Sequence, residues 1–160
     1  MQKISLVDRG AWYVIVQGLL IVLIIFGPQG ASLIPNGMDY LLTTSYLLGI
    51  LIVFAGLGIA GVAALNLGKN LTPLPHPKDD GLLVQKGLYQ FVRHPIYCGV
   101  ILISLGWLLI YPNQLVLLYM FALWIFFDLK TRKEELWLAD KFPEYAQYKK
   151  RVKKLIPGLY

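Results

Sequence analysis

The sequence predicts an all-α integral membrane protein with four transmembrane helices, a long cytoplasmic loop and a C-terminal interfacial helix. Three observations carry this. The chain is 57% hydrophobic and only 15% charged, with a mean hydropathy of +0.59, whereas soluble domains run nearer a quarter charged. Its apolar residues fall in four long runs. Its 15 Lys and Arg all lie on alternate connections between those runs. A length of 160 residues suits one domain, divided into two N-terminal spans (1–66), a loop (67–94), a span hairpin (95–127) and a helical tail (128–160). The single cysteine, Cys98, excludes an internal disulfide framework and a Cys-based metal site. The net charge of +6 flanks apolar runs, so membrane lipid is the expected partner, with no nucleic acid and no metal.

Ala11 to Gly27 is apolar except for Gln17. Tyr46 to Leu65 carries no charge; Pro95 to Tyr111 and Gln114 to Phe127 complete the set. A helix rises about 1.5 Å per residue, so roughly 20 residues cross a hydrocarbon core of about 30 Å. The second run spans alone. The others need interfacial flanks, which Trp12, Tyr13, Tyr40, Trp107, Tyr111 and Trp124 supply. The first run has a charged start, but no small-x-small cleavage site follows Gly27-Pro28-Gln29, so it reads as an uncleaved anchor.

The 28–39 connection and the Pro112–Asn113 turn hold no Lys or Arg. Basic residues occupy the N-terminus (Lys3, Arg9), the 67–94 loop (Lys69, Lys78, Lys86, Arg93) and everything from Lys130 onward. These segments share one side only if the number of spans is even. Both termini and the long loop are then cytoplasmic, as in a multi-pass protein of a prokaryotic inner membrane. Within the second run, Gly56-x-Gly58-x-x-Gly61 has the spacing of a dinucleotide fingerprint, but no βαβ unit surrounds it. Gly56, Ala60 and Ala64 recur every four residues, a pattern that lets a second helix approach closely.

An ordered connection as long as 67–94 is uncommon and usually functional. Pro73, Pro75 and Pro77 favour extended backbone, His76 among them reads as exposed, and Asp79-Asp80-Gly81 reads as a turn. Leu82, Leu83 and Val84 form a short apolar segment able to offer backbone groups to a flat heterocycle. Pro95 suits a first helical position, which places Arg93 and His94 at the N-terminus of the third span, where free N–H groups favour an anion. Tyr97 lies in its first turn, and Gly99 permits close approach.

After the fourth run nothing breaks the helix before Pro143. Lys130 and Glu134 share a face, as do Asp128, Arg132 and Glu135; Lys133 and Lys141 read as solvated. The tight Pro112–Asn113 turn makes the third and fourth spans antiparallel neighbours and brings Arg93–Tyr97 close to Lys130–Glu135. Pro143 can start a last helix. In it Tyr145, Tyr148 and Val152 share a face amid Lys149, Lys150, Arg151, Lys153 and Lys154, which suits an anionic membrane surface.

Leu83-Val84, Gly87-Leu88-Tyr89, Arg93-His94-Pro95-Ile96-Tyr97-Cys98-Gly99, Glu134-Glu135 and Tyr145-Ala146-Gln147-Tyr148 together resemble the isoprenylcysteine carboxyl methyltransferase family and the related phospholipid methyltransferases. The resemblance covers about residues 81–158. It implies an S-adenosylmethionine (SAM) site at the cytoplasmic end of the third and fourth spans. Leu82, Leu83, Val84 and Tyr89 would hold its adenosine end and His94, Pro95, Ile96 and Tyr97 its methionine end; Glu134 matches the acid that contacts the cofactor, and Arg93, Gly99 and Glu135 join the cofactor-binding set. It also implies a basic side chain that orients the substrate's carboxylate, a place that Lys130 or Arg132 fills. The implied substrate is a lipophilic small molecule or lipid. Positioning of donor and acceptor supplies much of such a methyl transfer, and a carboxylate at pH 7 needs no general base. A phospholipid or small-amine N-methyltransferase, an NADPH-dependent sterol-type reductase and a non-enzymatic membrane adaptor remain the alternatives.

Overall fold

The computed structural model describes residues 7–160; Lys3, counted above among the cytoplasmic charges, lies outside the described residues. Five α-helices follow in order: α1 (Ala11–Phe26), α2 (Asp39–Leu67), α3 (Pro95–Ile110), α4 (Gln114–Lys141) and α5 (Tyr145–Arg151). Single turns of 3-10 helix occur at Gly68–Asn70 and Gly87–Gln90. Among the described residues there is no strand, only two isolated bridges. The architecture is all-α.

Two helices, α2 and α4, are long and apolar enough to cross a membrane; α1 and α3 are apolar but have 16 residues each. The outer faces suit lipid. Ile15, Leu19 and Phe26 of α1 and Leu51, Phe54 and Leu65 of α2 are all more than half exposed. Polar groups are scarce there, so the expected hydrophobic solvent is hydrocarbon rather than water.

Helices α2 and α3 approach closely along a seam of glycines. A Cβ on Gly56 would lie 2.7 Å from the carbonyl oxygen of Gly99, and one on Gly99 would lie 2.6 Å from that of Gly56. Gly49 and Gly106 repeat the arrangement, each 2.6 Å from the other's oxygen by the same measure. The two pairs are seven residues apart on both helices, the repeat that keeps one face turned to a partner. Gly56 and Ala60 therefore serve helix packing, as their spacing predicts, with Ala60 seated directly against Gly99. Ser45 adds a hydrogen bond from its Oγ to the Leu109 carbonyl at 2.6 Å.

At the end of the bundle away from the long loop, Asn113 caps α4 by accepting from Val116 N at 3.0 Å. The 28–38 connection is tied to this turn through Leu33 N to Pro112 O (2.7 Å) and Gln114 N to Ala31 O (3.0 Å). The hairpin of α3 and α4 is thus fixed, and a core of Ile24, Leu123, Phe126 and Phe127 joins α1 to α4.

Three expectations about the tail and loop need correcting. Tyr145, Tyr148 and Val152 do not face lipid: all three are buried against Leu83, Leu138 and Phe142. Their aromatic bulk fills space between the loop and α4; Lys149, Lys150, Arg151 and Lys153 remain outside, while Lys154 is buried and paired with Asp128. Lys141 is not merely solvated: its ammonium donates to the carbonyls of Lys78 and Asp79, pinning the loop to the end of α4. His76 is half-buried rather than exposed, its ring 5.4 Å from that of Trp137.

Candidate active site

Residues 67–94 fold across the end of the helices and leave a cavity of about 380 Å³ beneath them. Its roof is the Asn70–Pro77 segment and Gly81–Val84. Its floor is the start of α3 and the middle of α4, with Val14 and Gln17 of α1 on one side and Tyr145 and Tyr148 of α5 on the other. The roof is held by two asparagines at the end of α2. Asn66 Oδ1 accepts from Leu88 N at 2.9 Å, and Asn70 Oδ1 accepts from Leu82 N at 2.8 Å.

The adjacent glutamates of α4 diverge. Glu135 is 5% exposed and turns inward. Its Oε1 accepts from Arg93 Nη2 at 2.7 Å and Nε at 2.9 Å, and lies 3.2 Å from His94 Nε2. Its Oε2 meets Lys149 Nζ at 2.9 Å. A carboxylate only accepts, so Nε2 of His94 carries the proton in this contact. Glu134 instead faces the cavity. Its Oε2 accepts from the Tyr97 hydroxyl at 2.9 Å and lies 3.9 Å from His94 Nδ1. The Tyr97 ring is sandwiched, parallel to His94 on one side (5.6 Å) and to Phe127 on the other (4.6 Å).

Lys130, one turn before Glu134, is 2% exposed and lines the same cavity. The expected shared face is real, yet the two form no ion pair. The Lys130 ammonium donates to Gln17 Oε1 at 2.7 Å and lies 5.1 Å from the centre of the Tyr97 ring.

The tail closes the site from below. Residues 152–154 run parallel to 92–94: Arg93 N donates to Lys153 O at 2.8 Å, and His94 N to Lys154 O at 3.1 Å. The Arg93 guanidinium also donates to the Val152 carbonyl. Tyr148 donates to the Tyr89 carbonyl at 2.5 Å, and burial pushes its hydroxyl up to about 12. Burial likewise raises the hydroxyls of Tyr89 and Tyr145 above the usual phenol range. The Tyr145 hydroxyl is buried and has no partner among the described residues.

Most residues expected at the site meet at this cavity: Leu82, Leu83, Val84, Tyr89, Arg93, His94, Ile96, Tyr97, Lys130 and Glu134. Leu82 does so from the rim, its side chain largely outside. Four do not line it. Pro95 is buried at the first position of α3. Gly99 faces α2, because Gly56 and Ala60 occupy the space beside it. Glu135 is consumed by Arg93, His94 and Lys149. Arg132 points outward with its side chain 69% exposed, drawn to Asp128 at 2.7 Å. Of Lys130 and Arg132, Lys130 therefore is the one within the cavity. Gln17, Asn70, Tyr145 and Tyr148 line it without having been assigned to it, and Asn66 supports the loop above. Gln17 carried a signal as the lone polar residue of an apolar run, and Tyr145 and Tyr148 carried one as the Tyr-x-x-Tyr of the resemblance.

The family model for isoprenylcysteine carboxyl methyltransferase (ICMT) matches residues 47–140, from within α2 to the end of α4. The chain belongs to the ICMT family. Similar proteins include the protein-S-isoprenylcysteine O-methyltransferases of Saccharomyces cerevisiae, 35% identical over 114 residues (69% of this chain, 48% of the relative), and of Dictyostelium discoideum, 34% identical over 116 residues (70% and 49%). The chain thus spans about half the length of these curated relatives. A solved structure of the eukaryotic intramembrane Ras methyltransferase ICMT superposes with a TM-score of 0.65 at 24% identity, covering 95% of this chain and 64% of that one. The fold is accordingly the ICMT membrane fold. The ICMT match includes the α2–α3 seam and both glutamates, but neither Gln17 nor the tail.

Proposed function

We propose that this ICMT-family protein is a SAM-dependent integral membrane methyltransferase that esterifies the carboxylate of a lipophilic, isoprenylcysteine-like acceptor. The observation that carries the reading is the pairing of opposite charges at one cavity. On α4, Lys130 and Glu134 both face it, one turn or about 6 Å apart, and neither neutralises the other. A donor with a cationic amino-acid end and an acceptor with a carboxylate need such a divided surface.

The residues fit SAM. Glu134 offers a carboxylate for its ammonium. Leu83 and Val84 offer apolar surface and, among the described residues, backbone groups with no backbone partner. Tyr145 offers a buried hydroxyl that lacks a partner. The cavity lies within the usual range for small-molecule sites, about 300–1,000 Å³. When bound, SAM would supply an electrophilic methyl group on a sulfonium. The protein's part is to orient and to exclude water. Glu134 and Tyr97 would fix the donor end, while Lys130 would hold the acceptor's carboxylate one turn away. A sulfonium and a carboxylate lose their charges as they react, so exclusion of water beneath the loop would favour the reaction. His94 is tied to Glu135 through Nε2 and is not needed as a base for a carboxylate. A buried ammonium at the acceptor end also disfavours a cationic amine acceptor.

The same reading takes α1 and α3 as spans alongside α2 and α4, with both termini and residues 67–94 cytoplasmic. The support is the placement of Lys and Arg and the aromatic residues Trp12, Tyr13, Trp107 and Tyr111 at helix ends. The cavity then opens at the cytoplasmic membrane surface, where a lipid-borne carboxylate would sit.

The test is calorimetry of the purified protein with SAM and its demethylated product, followed by transfer of labelled methyl to N-acetyl-S-farnesylcysteine. Binding of both cofactor forms and formation of a base-labile methyl ester are expected. A stable protein that binds neither form sinks the methyltransferase reading. One that binds SAM but methylates only amines sinks the choice of acceptor.

A further inference from the structure

Lys130 is an unusual buried cation. Buried charges are ordinarily paired with an opposite charge, yet among the described residues no carboxylate is ion-paired with it. Among the described residues its one hydrogen-bond partner is the neutral side-chain oxygen of Gln17, at 2.7 Å. An ammonium has three donors and accepts nothing, so the amide must present its oxygen. At least one donor is left over, and Lys130 lines the cavity. Gln17 itself stands mid-way along α1, the sole polar residue between Ala11 and Gly27. A polar side chain on an apolar membrane helix is costly and usually marks function. It comes from outside the segment matched by the family model.

We infer that Gln17 is a positioning residue that sets the acceptor class: it fixes the Lys130 ammonium through a neutral oxygen and so keeps its positive charge for an anionic acceptor. This rests on the function proposed above and deepens it. The contact does two things at once. It holds a flexible four-carbon side chain in one orientation, against the face of Tyr97. It also leaves the charge uncancelled. A carboxylate at position 17 would satisfy Lys130 internally and repel a carboxylate ligand. An apolar residue there would leave the ammonium unguided. The cavity's acceptor end then selects by charge: a lipophilic carboxylate is favoured over the amide of the same molecule.

The experiment compares two probes, N-acetyl-S-farnesylcysteine and its carboxamide, for binding to full-length protein loaded with the demethylated cofactor. Wild type is expected to favour the carboxylate at least tenfold. In Gln17→Glu that preference should vanish, through loss of carboxylate affinity alone, with carboxamide affinity and cofactor affinity unchanged. In turnover with labelled SAM, the KM for the carboxylate should rise more than kcat falls. Lys130→Gln, which tests the same point without altering α1, should also abolish the preference. Retention of the tenfold preference in Gln17→Glu, or an equal loss for both probes, overturns the inference and leaves the methyltransferase reading standing. Cofactor binding by wild type with no preference between the probes overturns the inference too. Failure of wild type to bind the cofactor at all overturns the methyltransferase reading itself.

Discussion

The Arg93 guanidinium is bound to Glu135 at 2.7 Å with both side chains under a tenth exposed, one residue away from a glutamate that faces the cavity. Consecutive acids on a helix point about 100° apart, so one can be structural while the next meets a ligand. Glu135 anchors the tail, α3 and α4 together; Glu134 is left for chemistry.

Substitutions at the two positions should therefore separate. Glu135→Ala strands a buried guanidinium and removes the partners of His94 and Lys149. It should cost about 3–5 kcal/mol and lower the melting temperature in detergent sharply. Glu134→Ala should barely move the melting temperature but weaken SAM by about 2–5 kcal/mol. Calorimetry and thermal unfolding on the same preparations decide it, and equal behaviour of the two variants would contradict the division.

Tyr145→Phe removes a buried hydroxyl that lacks a partner. Desolvating such a group costs about 1–3 kcal/mol. The free protein should be as stable as wild type or more so, while SAM affinity falls. A destabilised variant with normal affinity would mean that the hydroxyl is satisfied in the free state.

The glycine seam should tolerate no side chain. Gly56→Val or Gly99→Val forces a carbon into the opposing backbone carbonyl and should cost at least about 1–3 kcal/mol. Gly58→Ala and Gly61→Ala, where an added Cβ meets nothing within 4 Å, should be neutral. Melting temperatures of the four variants in one detergent provide the comparison.

A cysteine placed at Asn36, in a Cys98→Ser background, should be labelled only from outside the cell by a membrane-impermeant maleimide. One at Asp80 should be labelled only from the cytoplasm. Reversed labelling would invert the topology.

Much of this was legible in the sequence because membrane helices announce themselves. The runs beginning at Ala11, Pro95 and Gln114 start where the helices start, and the absence of a breaker before Pro143 gave α4 its full length. The Arg93-His94-Pro95 and Glu134-Glu135 motifs meet because a tight turn leaves α3 and α4 no other arrangement. What was illegible depends on rotation about helix axes. Sequence spacing puts Lys130 and Glu134 on one face, but it does not show that Gln17, on a helix more than a hundred residues earlier, outcompetes Glu134 for the ammonium. Nor does it separate Glu134 from Glu135, or Lys130 from Arg132. The aromatic face of α5 read as lipid-seeking because apolar residues beside basic ones look alike whether they meet a bilayer or a neighbouring loop.

The parallel pairing of residues 92–94 with 152–154 has a consequence for biosynthesis. On the four-span reading proposed above, α1–α4 can enter the bilayer as they leave the ribosome, but the backbone N–H groups of Arg93 and His94 acquire their partners only when Lys153 and Lys154 have been translated. The cavity floor is therefore finished after the helices are in place. A nascent or prematurely terminated chain ending before Val152 would be inserted and yet incompetent, so membrane integration and maturation of the site are separate events in time.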